Sequence, residues 1–384
     1  MSGLTQKVKE LVPLIRHTIG EVGLEIELEG HNLPKDPTEY WVAHEDGSLR
    51  GESVEYVLNQ PIPRLLVSEV LQELNKRLKN STVVPSHRCS VHVHINAQEL
   101  TAKEVFKWLT VYCCVEQILL EFCGDSRKGN LFCLSLRDSQ FLVDTIRKSI
   151  ESVNPLYGLT RNENMRYAAC NTQPLARFGS LEFRALFGTT NQEIIETWCD
   201  ALLYLKDYAL SELFETPIDI LQRASVLGPK AFYQECLPKA FLEKLPRDFD
   251  ASRAIRDGIW LAQEFVFASD WKEPIVTPKK KKPTTTATPQ TIFDTARATG
   301  RREQEPAIAQ DEVQQILARL VAEQAVTRHG TPQIADTETT TTTTNRTWRQ
   351  ILADAPNPPI FNPFPPDNLP FITEDENENL FDDF

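Results

Sequence analysis

The sequence is most informative at first through what it lacks. Its eight cysteines, at 89, 113, 114, 123, 133, 170, 199 and 236, form no CxxC pair. That spacing, with Cys113 and Cys114 adjacent, suits neither a structural zinc site nor a disulfide framework, and it reads as buried thiols in a reducing compartment. Clustered positive charge is scarce. Against 54 acidic residues stand 41 Lys and Arg, a net charge of −13, and the one basic run is Lys279 to Lys282. A general polyanion binder is therefore excluded and no nucleic-acid partner is expected, although a local anionic ligand stays open. No Gly-rich phosphate loop occurs. The most apolar stretch, VFKWLTVYCCVEQILLEFC, is interrupted by Lys107, Glu116 and Glu121, so no membrane span is expected. The opening MSGLTQKVKELVPLIRHTIG lacks the charged, apolar, then small pattern of a secretion signal, and a cytoplasmic location is the expectation.

What is present divides the chain near Trp271. Beyond it come PKKKKPTTTATPQ, a threonine run, APNPPIFNPFPPDNLP and the acidic end TEDENENLFDDF. Residues 273–384 are expected to be a mostly disordered tail, because they cannot bury enough apolar surface to offset their conformational entropy. Within it, DEVQQILARLVAEQAV and TWRQILADAP read either as docking segments for a protein partner or as weak transient helices.

Residues 1–272 are expected to form the folded domain, with 41% apolar residues across the chain sufficient for a core. Strand-like runs appear at GLEIELEG, YWVA, SVEYVL, CSVHVHIN and SLEFRALFG; the Asp46-Gly47 turn signal favours antiparallel pairing of the second and third. Helical runs appear at VSEVLQELNKRLKN, at TAKEVFKWLTVYCCVEQILLEF behind a Thr cap, near 139–151, and after SLEFRALFG. The class is α+β, an antiparallel sheet with helices on one face.

Four of these strands carry ionisable residues on one face. In GLEIELEG, Glu25, Glu27 and Glu29 oppose Leu24, Ile26 and Leu28; taken alone this fits a solvated face as readily as a divalent-metal site. SVEYVL adds Glu55, VHVHIN adds His92 and His94, and SLEFRAL adds Glu182 and Arg184. Together they would form a polar floor whose hard oxygen ligands suit Mg²⁺ or Mn²⁺ better than zinc, with an arginine fork that matches phosphate. Glu116 and Arg127 read as a structural ion pair in preference to a substrate contact.

The order GLEIE, DGSL with SVEYV, CSVHVHIN, RYAACN and SLEFR resembles the amidoligase family of the carboxylate-amine ligases, similar in fold to glutamate-cysteine ligase and glutamine synthetase. The resemblance covers roughly residues 22–190, and it suggests a phage or bacterial member. It implies an ATP-dependent ligase that forms an amide or peptide bond through an acyl phosphate, joining a carboxylate to an amine from an amino acid, peptide or protein terminus. It further implies that Glu25, Glu27, Glu55, His92 and Glu182 ligate the metals, that His94 and Arg184 serve the phosphoryl group, and that Asp46, Arg166 and Asn171 contact nucleotide or substrate. A metal-dependent hydrolase and a non-catalytic adaptor with a residual ligase fold remain the rival readings.

Overall fold

Period-two patterning builds the strands of a single antiparallel sheet: β1 (Val22–His31), β2 (Trp41–His44), β3 (Ser53–Leu58), β4 (Thr82–Val84), β5 (Ser90–Asn96), β6 (Cys170–Asn171) and β7 (Ser180–Phe187). The computed structural model describes residues 3–11 and 20–272. Of the two units into which the chain divides, these belong to the one containing Met1–Ile275; the other, Val276–Pro358, lies outside the described residues, as do the tail segments discussed above. The sheet runs β2-β3-β1-β5-β7-β6, with β4 pairing the far end of β1. As expected, β2 and β3 pair antiparallel across the Asp46-Gly47 turn. There Asp46 Oδ1 accepts the Ser48 N–H at 2.6 Å, an Asx-type turn.

The helices are α1 (Val67–Arg77), α2 (Ala102–Phe122), α3 (Gln140–Glu151), α4 (Pro155–Arg161), α5 (Pro174–Arg177), α6 (Gln192–Leu210), α7 (Pro217–Cys236), α8 (Lys239–Leu242) and α9 (Ala251–Val266). One face of the sheet is apolar and buried: Val22, Leu24, Ile26 and Leu28 from β1, Val91, Val93 and Ile95 from β5, Leu181 and Phe183 from β7. It packs on α2 and α6, where the Trp108 and Tyr112 rings lie 5.6 and 5.5 Å from that of Phe183. The α2 helix starts with the expected Thr cap, as a full capping box: Thr101 accepts from the Glu104 N–H while the Glu104 carboxylate accepts from Thr101. Covered by the sheet on one side and by α7 and α9 on others, it is buried almost all round, which explains why it is apolar on every face. All eight cysteines are free and buried, as their spacing predicted.

Glu116 and Arg127 do not pair with each other, which corrects the ion-pair expectation. Glu116 Oε2 accepts the Leu136 N–H at 2.8 Å. Arg127 donates instead to three carbonyls, those of Ala185 (3.1 Å), His87 (3.2 Å) and Arg184 (3.0 Å). The reason lies in β7. Between the pairs Val91↔Leu186 and Val93↔Phe183, β7 has one residue more than β5, a bulge at Arg184 and Ala185 whose carbonyls leave the ladder. Arg127, 1% exposed, satisfies them. Among the described residues no helix is long and apolar enough to cross a membrane.

Candidate metal and phosphate site

The opposite face of the same strands holds the ionisable residues, and the strand register decides which of them meet. Glu27 on β1 stands opposite Glu55 on β3, and Glu25 opposite His92 on β5. Glu182 on β7 stands between His94 on β5 and Asn171 on β6. Gly23 lies opposite His94, and a Cβ there would sit 3.3 Å from the His94 Cβ, so glycine leaves room for the imidazole to lean toward the next pleat.

The side chains form one continuous row. Ligand-capable atoms converge within 4.8 Å of one another in three groups: Glu25, His94 and Glu182; Glu25, Glu55 and His92; Glu27, Asp46 and Glu55. Glu25 is common to the first two and Glu55 to the last two, so the groups share members rather than merely adjoin. His92 Nδ1 lies 3.0 Å from Glu25 Oε2 and 3.4 Å from Glu182 Oε1, while His94 Nε2 lies 3.3 Å from Glu25 Oε1. At the β7 end, Arg184 Nη1 donates to Glu182 Oε1 at 2.6 Å and Asn171 Nδ2 donates to Glu182 Oε2 at 2.7 Å.

Burial makes this charge expensive, and the protonation balance reflects it. Burial opposes ionisation of Glu25, but hydrogen bonds from His92 and His94 and their charge outweigh it and hold the carboxyl well below the usual range. Burial and the Arg184 charge resist protonation of His92; the Glu27, Glu25 and Glu182 carboxylates overcome both and raise it. For Glu182 burial is again overcome, by Arg184 first and then the two histidines, and the carboxyl is lowered. Arg184 stays charged against its own burial because Glu182, Glu27 and Glu25 surround it. Glu55 is the exception. Burial, then the Glu25 charge beside it, push its carboxyl up to about 7 despite the pull of His92.

Five carboxyls (Glu25, Glu27, Asp46, Glu55 and Glu182) thus face two imidazoles and one guanidinium. The arrangement has the donor set of a hard divalent cation, oxygen-rich with a minority of imidazole nitrogen, and the raised Glu55 marks a place where positive charge is wanting. One buried nitrogen here, Arg184 Nε, lacks a hydrogen-bond partner. A guanidinium donor left open beside a carboxylate-rich site can take an incoming phosphoryl or carboxylate oxygen.

Of the residues singled out from the sequence, the structure brings together Glu25, Glu27, Glu55, His92, His94, Glu182, Arg184, Asp46 and Asn171. Asp46 comes within ligand distance of Glu27 and Glu55, and His94 within that of Glu25 and Glu182. Arg166 is exposed and turns to its neighbour, with Nη2 2.7 Å from the Tyr167 hydroxyl and its guanidinium over that ring.

Three contributors to the site were not assigned to it from the sequence, Arg127 having been read as a partner of Glu116. Ser90 Oγ bridges Glu27 Oε2 (2.6 Å) and His92 Nε2 (2.8 Å), and its backbone N–H also donates to Glu27 at 2.8 Å. Ser180 Oγ lies 3.1 Å from His94 Nδ1. Arg127 supports the bulge that carries Arg184. The two serines had a signal: Ser90 precedes His92 and Ser180 precedes Glu182 by one pleat repeat, on the same face. Arg127 had none, because its partners are main-chain carbonyls remote in sequence.

Residues 44–205 match the protein-family model described as "putative amidoligase enzyme". The matched range holds Asp46, Glu55, His92, His94, Asn171, Glu182 and Arg184; Glu25 and Glu27 precede it, on the strand that β3 and β5 flank. No curated protein matches the chain. The match supports the amidoligase family for this segment, and with it a ligase.

Proposed function

We propose that the protein is an ATP-dependent carboxylate-amine ligase: a phosphoryl group passes from ATP to a substrate carboxylate, an amine attacks the acyl phosphate, and an amide, ADP, phosphate and a proton result. The observation that carries this reading is the three-group row of carboxyls and imidazoles, sharing Glu25 and Glu55 and ending at a guanidinium with an open buried donor. Mg²⁺ or Mn²⁺ bound along the row would supply neutralisation of the nucleotide phosphates. Glu25, Glu27, Glu55, Asp46, His92, His94 and Glu182 are the residues to hold those ions.

The remaining roles follow from how each side chain is fixed. Arg184 is tied at Nη1 to Glu182, so its orientation is set before any substrate arrives, and Nε is left to meet charge on a phosphoryl oxygen. Asn171 holds the second Glu182 oxygen and so fixes the plane of that carboxylate. Ser180 orients the His94 ring from Nδ1, which directs Nε2 at Glu25. Such a site works by neutralising and positioning, and it contains no side chain that must act as a covalent nucleophile.

The test is phosphate release from ATP by the full chain with Mg²⁺, with EDTA and with Glu182→Gln, while pools of amino acids and peptides are screened for stimulation. Metal-dependent release that a pool stimulates and the substitution abolishes is the expected result. Hydrolysis of other substrates without nucleotide would move the assignment to a metal hydrolase, and absence of nucleotide binding in every condition would refute the ligase reading.

A further inference from the structure

Arg184 sits where β7 changes register against β5. On one side of it Glu182 stands opposite His94, on the other Leu186 stands opposite Val91, and Arg184 and Ala185 fall where β5 has only His92. Without the extra residue the two registers could not both hold, and a slip by one residue would turn the side chains of one of them to the wrong face. A bulge of this kind re-aims a side chain, and its displaced peptide groups need partners of their own.

One segment supplies those partners from both sides. It leaves α2 through Gly124, whose φ of 88° favours glycine, and it runs to Leu136, whose N–H is fastened to the Glu116 carboxyl of α2. From it Arg127 reaches the carbonyls of Arg184, Ala185 and His87, and Asn130 Nδ2 donates a second bond to that of His87 at 3.2 Å. The other side of Arg184 leads back to the same segment. Its N–H donates to the Ala169 carbonyl at 2.9 Å, and the Ala169 N–H donates to the Leu134 carbonyl at 2.8 Å. The peptide groups on either side of the Arg184 side chain are thus closed into a ring of hydrogen bonds that begins and ends in one segment. Burying a guanidinium to satisfy neutral carbonyls is a costly way to hold a strand. What it adds over a smaller donor is a planar fork, which fixes three carbonyls relative to one another.

We propose that Arg127 is a positioning residue of the ligase: it sets the β7 bulge so that Arg184, held at Nη1 by Glu182, presents its open Nε to the transferred phosphoryl group. What Nε meets rests on the ligase reading, whereas the direction of Nε is a property of the chain alone. Placement matters here because a shift of about 1 Å at a catalytic group can cost about a hundredfold in rate.

The experiment reads direction and rate separately, on the full chain. With isotope-labelled arginine, the Nε–H resonance that disappears in Arg184→Lys belongs to Arg184. In Arg127→Lys that resonance is expected to move and to exchange faster with water. Thr101→Ala, which weakens the fold at a distant helix cap, is expected to leave it in place. In Mg²⁺-dependent phosphate release from ATP, Arg127→Lys should lower kcat about tenfold to a hundredfold with little change in KM, the mark of an interaction made only in the transition state. An unmoved Nε–H resonance in Arg127→Lys, or a wild-type kcat in that variant, would overturn the proposal. Absence of turnover in the wild-type chain would count against the ligase reading alone, and a moved resonance would still support Arg127 as the residue that sets the direction of Arg184. Where Arg127→Lys does not fold, Asn130→Ala loosens the segment without touching either guanidinium, and an unmoved resonance there would overturn the proposal in its place.

Discussion

The Arg127 side chain donates from Nη2 to the main-chain carbonyl of Arg184 at 3.0 Å, so one buried arginine supports the backbone of the other. Its Nε serves Ala185 in the same bulge. Arg127→Met should leave these carbonyls unpaired and cost about 3 kcal/mol, since each buried group abandoned costs about 1 to 3 kcal/mol and they are not additive. Urea unfolding gives the number. Arg127→Lys, with a point charge in place of the fork, should recover only part of it.

Ser90 is expected to tune the site without entering it. Its hydroxyl has one proton, which goes to the carboxylate of Glu27, so it accepts from His92 Nε2; with Glu25 at Nδ1, the ring is held protonated on both nitrogens in this state. Ser90→Ala should reduce Mn²⁺ affinity by about tenfold to a hundredfold, the usual effect of removing a group that orients ligands. Electron paramagnetic titration of free Mn²⁺ measures it, and an unchanged affinity would remove Ser90 from the ligand network.

Glu25 belongs to two of the three groups, so a single change there should disable more than one cation position. With the wild-type chain, Mg²⁺ or Mn²⁺ at a hundredfold above its dissociation constant should add about 2.7 kcal/mol of stability. For Glu25→Gln the melting temperature should no longer respond to the metal, and EDTA should bring the two proteins to the same insensitivity.

Glu116 predicts a pH dependence of stability. Its folded carboxyl is pushed up to about 8 by burial, opposed by the Leu136 N–H and then the Tyr112 hydroxyl, from an ordinary value of 4.5. Below pH 4.5 both states hold the proton. Between there and about 8 only the unfolded chain ionises, so stability declines as pH rises by up to about 1.4 kcal/mol per unit. Glu116→Gln abolishes that slope. Its stability relative to wild type should therefore improve by about 2 to 4 kcal/mol between pH 5 and pH 8, read from urea unfolding at the two values.

The capping box offers a local check. Thr101→Ala removes the hydroxyl that accepts the Glu104 N–H and should cost about 1 kcal/mol, while Thr101→Ser should cost little. A larger loss in the serine variant would mean that the Thr101 methyl group, rather than the cap, matters.

Five of the seven strands among the described residues were legible from alternation, and the helices α1, α2, α3 and α6 from their longer periods, whereas the long α7 and α9 were not read. The short elements β4, β6, α4 and α5 were not, because two to seven residues carry too little periodicity to distinguish them from loop. In the site, nine of the ten residues chosen from the sequence come together: seven lay on strands whose face could be read, while Asp46, in the turn after β2, and Asn171, on the two-residue β6, were chosen from the resemblance alone. Arg166 was chosen from a segment without such a pattern, and it pairs with Tyr167 instead.

Alternation is a property of consecutive residues, so the sequence by itself determined which side chains share a face: Glu25 with Glu27, His92 with His94, Glu182 with Arg184. It could not say that Glu25 lies opposite His92, or that Glu182 meets both His94 and Asn171, because register depends on partners far along the chain. Nor could it place the β7 bulge, which puts one residue more on that strand than on β5 and leaves two carbonyls for Arg127. Those relations exist only after the strands are aligned, and the tertiary structure alone decided them.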